Sequence, residues 1–190
     1  IAKPQTKILE PDGRAHFYGH PTQGAEVTGG IMQRLRFSNK EIKMVQKMIE
    51  SHLRLWQMGG DQGLPTRRAI YRYFRDTADV SIDIMFLTLA DFLATQGPNL
   101  DMAEWERHSR LMEYVLAQRE EDHTLAAPPK LIDGHDLMRE LGLKPGPEIG
   151  EILEAVRESQ GAGEISTSEE ALALARSRLG KRQPRPKVIS

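Results

Sequence analysis

Asp91 stands in the run "LTLADFLA", in the company of Phe86, Leu87, Leu89, Phe92 and Leu93. An ionised carboxylate among such neighbours costs on the order of several kcal/mol unless it is paired or bound to a cation. A salt bridge to lysine or arginine answers that need, and so does a hydrogen-bonded helix N-terminus. A metal ion is the third answer, and two histidines bear on it: His52 on the apolar face of an amphipathic helix, and His20 directly before Pro21 in "HFYGHPTQGA". Imidazole nitrogens and carboxylate oxygens are ordinary ligands of a divalent cation, so His20, His52 and Asp91 make a candidate set if the fold brings them together. A histidine on an apolar face is also commonly just a hydrogen-bonded core residue. His16 reads as a surface residue and His108 as a core edge beside Trp105 and Met112, while "GHD" at 134–136 reads as a capping element.

Positive charge is the second candidate chemistry. Arg68, Arg72 and Arg75 fall on one face of "RRAIYRYFRD" beside Tyr71, and Lys40, Lys43 and Lys47 share another helix face. Lys144 and Gly146 lie in "LKPGP", where a turn into a helix presents amides to a phosphate. A solvated helix face and a plain helix connection account for the same residues. The chain lacks a phosphate-cradling glycine loop, a nucleophilic serine elbow and a zincin pair, so the reactions that depend on them are excluded.

The elements that must position these residues are helical. Ser38 with Glu41 is a capping box, and Ile42, Val45, Ile49, His52 and Trp56 then recur at helical spacing, predicting one helix through Trp56. Pro21 suits a first helical turn, and Gly24, Gly29 and Gly30 weaken that helix while allowing close packing. Thr66 caps the arginine-bearing helix, and "VSIDIMFLTLADFLA" is apolar nearly all round, as expected of a central buried helix. Asp101 with Glu104 starts the next helix. Beyond "TLAAPPK" come a short helix stopped by Gly142, a helix with Ile149, Ile152, Leu153 and Val156 on one face, and a last helix started by Ser166 with Glu169. Sustained period-two alternation is lacking, so the fold class is all-α with essentially no sheet. The expected organisation is a helical body over residues 1–126, a helical tail over 127–180 and a disordered basic tail over 181–190.

With 190 residues, 39% of them hydrophobic, the chain can bury one good core and a smaller appended unit. Its net charge of −1 gives no global basic field, so any nucleic-acid partner must be met by local patches. The lack of cysteine removes disulfides and thiolate sites and fits a reducing cytoplasm. No run approaches the roughly 20 apolar residues of a membrane span. The opening "IAKPQT", with no initiator Met, reads as a fragment of something longer.

The run "IAKPQT … HFYGHPTQGA … LRFSNKEIKMVQKMIESHLR … RAIYRYFRD … LTLADFLA" resembles the HD phosphohydrolase superfamily, in the form carried by the C-terminal region of CCA-adding tRNA nucleotidyltransferases and bacterial poly(A) polymerases. The later "GLKPGPEIGEIL" followed by "GEISTSEEAL" resembles the helical tail of the same enzymes and is the more specific match. The resemblance covers nearly the whole chain. It implies an HD-like helical bundle, truncated at its N-terminus, with a small helical tail unit. In that family a His-Asp pair stands directly before the position of Ile1, in a helix continuing as "IGKPxT", with Ala2 here in place of the usual Gly. By position, His20, His52 and Asp91 match the later metal ligands and Lys3 a phosphate-facing lysine. The implied cofactor is a divalent ion such as Mg, Mn or Ni, held weakly or not at all without the upstream pair.

The function implied by the resemblance is an RNA-engaging body and tail of a tRNA nucleotidyltransferase or poly(A) polymerase, with tRNA as partner. The polymerising carboxylates belong to a head domain of the same polypeptide, so this stretch adds no nucleotides alone. A metal-dependent phosphohydrolase using His20, His52, Asp91 and Lys3 is the alternative enzyme, and a purely structural or dimerising helical module is the third reading.

Overall fold

The structure, a computed structural model, describes residues 2–59, 63–121 and 128–182, with 181 and 182 described for their backbone alone. The sequence-expected boundary at 126/127 and the expected tail after 182 lie outside the described residues. The chain divides into two compact units, one of residues 1–65 and 73–117, the other of residues 66–72 and 118–190.

The first unit opens with a turn, in which the amides of Gln5 and Thr6 both reach the Ala2 carbonyl at 3.1 Å, where a continuing helix was expected. A small hairpin follows, β1 (Lys7–Leu9) antiparallel to β2 (Ala15–Phe17), with Ile8 opposite His16. This is the one departure from the expected all-helical pattern among the described residues. Strands of three residues each are too short to show alternation in sequence.

Gly19, at φ 74, turns the chain from β2 into α1 (His20–Arg34), a left-handed position that a side chain would strain. The Ser38–Glu41 capping box starts α2 (Asn39–Ser51) as expected. Helices α1 and α2 pack closely because Gly24 and Gly29 carry no Cβ: one on Gly29 would lie 2.4 Å from the Gln46 amide, which donates to the Ala25 carbonyl. The expected single helix through Trp56 is broken, with α2 ending at Ser51 and a short α3 covering Arg54–Gln57. At the break, the Thr88 hydroxyl donates to the His52 carbonyl at 2.5 Å, a tertiary bond that periodicity cannot reveal.

Thr66 caps α4 (Arg67–Thr77), accepting from the Ala69 amide. After one 3-10 turn, α5 (Ser81–Gln96) crosses the unit, burying Ile84, Met85, Thr88 and Phe92. It is not buried all round as its composition suggested, since Phe86 is 68% exposed and Leu93 42%. Asp101 caps α6 (Met102–Glu121) through the amides of Ala103 and Glu104.

In the second unit, Asp133 and Asp136 form the capping box of α7 (Gly134–Leu141), which ends at the left-handed Gly142. Helices α8 (Pro147–Gly161) and α9 (Ser168–Arg182) complete a core of Ile132, Leu137, Ile152, Val156, Ala171 and Ala175. The start of α9 is shifted by one from the expected Ser166–Glu169 pair. Thr167 caps the Glu170 amide, and the Glu170 carboxylate accepts from the amides of Ser166 and Thr167. Among the described residues no helix is long and apolar enough to cross a membrane.

Candidate functional site

His20 is the first residue of α1, and its Nδ1 lies 2.7 Å from the Phe17 carbonyl oxygen. His52 closes α2, with Nδ1 2.6 Å from the Ile49 carbonyl oxygen. A carbonyl only accepts, so both rings donate from Nδ1, and a neutral ring then keeps its lone pair on Nε2. The two Nε2 atoms face each other at 3.3 Å. Two lone pairs at that distance repel unless a proton or a cation lies between them. The same backbone anchoring of the far nitrogen is what orients metal-binding histidines.

Asp91, on α5, completes the cluster. Lys3 donates from Nζ to Oδ1 at 2.8 Å, while Oδ2 stands 3.9 Å from His52 Nε2. The carboxylate is 31% exposed rather than enclosed in apolar surroundings, and its salt bridge is one of the answers its sequence context demanded. These four residues line one cavity of about 220 Å³ with Ala2, Gly24, Thr28, Ile49 and Leu87. The Thr28 hydroxyl is buried and has no hydrogen-bond partner. Sequence reasoning missed Thr28, although it lies four residues after Gly24 and eight after His20, on the same helix face.

The donor set is compatible with a divalent ion. Two imidazole nitrogens about 2.1 Å from one ion stand roughly 3.0 to 3.4 Å apart, matching the His20–His52 spacing. The set is also incomplete, because Asp91 gives one oxygen to Lys3 and no group of three ligands is closed among the described residues.

The arginines sit differently. Arg68 donates to Glu158 at 2.6 Å and to Glu164 at 2.5 Å, and Arg72 donates to the same Glu158 oxygen at 2.5 Å. Arg75 pairs with Asp76, which also receives Arg54. Burial pushes the Glu158 carboxyl up, but the hydrogen bonds from Arg72 and Arg68 outweigh it and hold the group below the usual carboxylate range. Asp76 is likewise held low, the Arg75 and Arg54 hydrogen bonds overcoming its burial. Lys144 and Gly146 lie exposed in the turn before α8, where Gly146 is extended at φ 172 and its carbonyl accepts from Ile149.

Residues 22–175 match the family described as tRNA nucleotidyltransferase domain 2. The chain is 36% identical over 175 residues to the A-adding tRNA nucleotidyltransferase of Deinococcus radiodurans, covering 92% of this chain and 38% of the relative. It is 32% identical over 178 residues to the CC-adding tRNA nucleotidyltransferase of Thermus thermophilus, covering 92% and 37%. A CCA-adding enzyme of Streptococcus thermophilus is 28% identical over 127 residues, covering 67% and 27%. No solved structure matches. The chain belongs to the tRNA nucleotidyltransferase family, and it spans less than two-fifths of the length of the relatives from Deinococcus and Thermus.

Proposed function

We infer that this chain is the RNA-engaging body and tail of a tRNA nucleotidyltransferase, and that nucleotide addition requires a head domain outside this sequence. The observation that carries the reading is the match over 92% of the chain to an A-adding tRNA nucleotidyltransferase of which it covers 38%. The RNA contacts of this reading are Arg68, Arg72, Arg75, Lys144 and the turn at Gly146. Lys144 is exposed, so a phosphate can reach it, while Arg68 would have to share its guanidinium with Glu158 and Glu164, Arg72 with Glu158 and Arg75 with Asp76.

The test offers the chain tRNA lacking its terminal A, together with ATP. The reading expects a bound tRNA and no extension. Extension by these 190 residues alone would overturn the requirement for a head domain, and absence of binding would overturn the RNA-engaging role.

The facing histidines favour a second reading, an HD-type site that holds a divalent ion and acts on phosphoesters. In it His20, His52 and Asp91 would hold the ion, which would supply an activated water and charge neutralisation when bound. Lys3 would orient a phosphate oxygen, and the Thr28 hydroxyl would meet a polar ligand atom. Mn-dependent hydrolysis of a phosphomonoester, lost in His52→Ala, would support this reading, and hydrolysis unchanged by His52→Ala would overturn it.

A further inference from the structure

Away from the histidine pair, the first unit carries a column of stacked rings that ends in the open. Phe92 lies 4.0 Å from His108 between ring centroids, and His108 stacks on Trp56 at 3.8 Å with an interplanar angle of 3°. Trp105 closes the inner end against Phe92. The His108 ring is buried and is fixed from Nδ1 by the Glu104 carbonyl at 2.9 Å, so the column is held from within. Trp56 is 42% exposed and lines a cavity of about 560 Å³.

One wall of that cavity is α6, which contributes Arg107, Arg110 and Tyr114 at helical spacing, with Glu113 beside them. Among the described residues the arginines pair with Glu104 at 2.6 Å and Glu106 at 3.7 Å, and all four side chains are more than a third exposed. Exposed pairs of this kind are weak, and a phosphate can displace their carboxylates. An exposed tryptophan flanked by exchangeable guanidinium groups is the chemistry that holds an unpaired nucleotide, its base stacked and its backbone neutralised. Glu113 offers only acceptors, which favours a base bearing an exocyclic amine.

We propose that Trp56, Arg107, Arg110 and Tyr114 form a binding site for one unpaired nucleotide of an RNA strand, the base extending the Trp56–His108–Phe92 stack. The proposal rests on the RNA-engaging reading above and adds a single-stranded contact on the first unit. Through Glu113 it favours adenine, cytosine and guanine, which bear exocyclic amines, over uracil.

The chain contains two tryptophans, so Trp105→Phe leaves Trp56 as the sole reporter. Titration with adenosine, cytidine and uridine monophosphates should quench its emission saturably, with uridine weakest. For a labelled single-stranded oligoribonucleotide, Trp56→Leu should weaken binding about tenfold, within the range that one base–aromatic stack carries. Trp56→Phe should retain most of the affinity, which separates stacking from a general packing defect. Arg107→Gln with Arg110→Gln should weaken binding and lower its salt dependence. If tRNA binds while Trp56 emission and the Trp56→Leu affinity are unchanged, this site is overturned and the RNA-engaging reading survives. Failure of tRNA to bind at low salt overturns both. A response to an aromatic peptide but to no nucleotide assigns the cavity to a protein partner and overturns the proposal.

Discussion

His20 and His52 meet because each ring is pinned by a backbone carbonyl three residues before it, and what lies between their Nε2 atoms is open to direct test. With two imidazoles and a carboxylate shared with Lys3, a divalent ion should bind too weakly to survive gel filtration. Calorimetry with Mn or Ni should register that weak binding and lose it in His52→Ala. A tightly retained ion that survives the substitution would place the ligands elsewhere. A salt bridge was one of the answers that the sequence context of Asp91 offered, although the carboxylate is 31% exposed, and the identity of the partner was not legible, because Lys3 lies 88 residues away. The same limit hid the packing at Gly161, where an added Cβ would sit 2.2 Å from the Tyr71 ring. Gly161→Ala should destabilise the second unit by about 1–3 kcal/mol, the usual cost of overpacking, read as a lowered midpoint in urea unfolding. An unchanged midpoint would mean that the ring moves aside freely.

The helices themselves follow from local chemistry, and most of their caps were readable, the start of α9 being off by one residue. Ser38 with Glu41 and the Gly142 stop occur where the sequence puts them, and Asp133 with Asp136 forms the capping role assigned to "GHD". The errors have tertiary causes: Thr88 holds the His52 carbonyl at the end of α2, and α5 leaves Phe86 in solvent despite its composition. Arg68 and Arg72 on α4 share Glu158 of α8, a pairing the sequence could not show because that glutamate is 90 and 86 residues distant. That pairing has a pH consequence. Glu158 has a lowered folded pKa, since the Arg72 and Arg68 hydrogen bonds outweigh burial, so its contribution to stability is present above the unfolded carboxylate value. It is lost as pH falls through that value, near ~4.3, and on through the folded one. Urea unfolding of the wild type should therefore show a steep acid limb that Glu158→Gln flattens, at the expense of stability at neutral pH. Equal acid limbs in both proteins would show that the network contributes nothing.

At the scale of the whole molecule, a net charge of −1 confines any RNA contact to local patches, so binding should rest on few phosphates, with a salt slope in proportion to their number. The family was legible because "GLKPGPEIGEIL" and "GEISTSEEAL" compress the cap, turn and core face of α8 and the start of α9 into short contiguous runs. The column ending in Trp56 was not, since its rings come from α3, α5 and α6. The proposed hold on tRNA is tested by the affinity of this chain for tRNA across a salt series. Binding is expected at low salt, with log Kobs falling with log salt by roughly 0.7 to 0.9 per phosphate contact, and less steeply once Arg68, Arg72 and Arg75 are replaced by Ala. Absence of tRNA binding at low salt, or an affinity indifferent to salt, would contradict it.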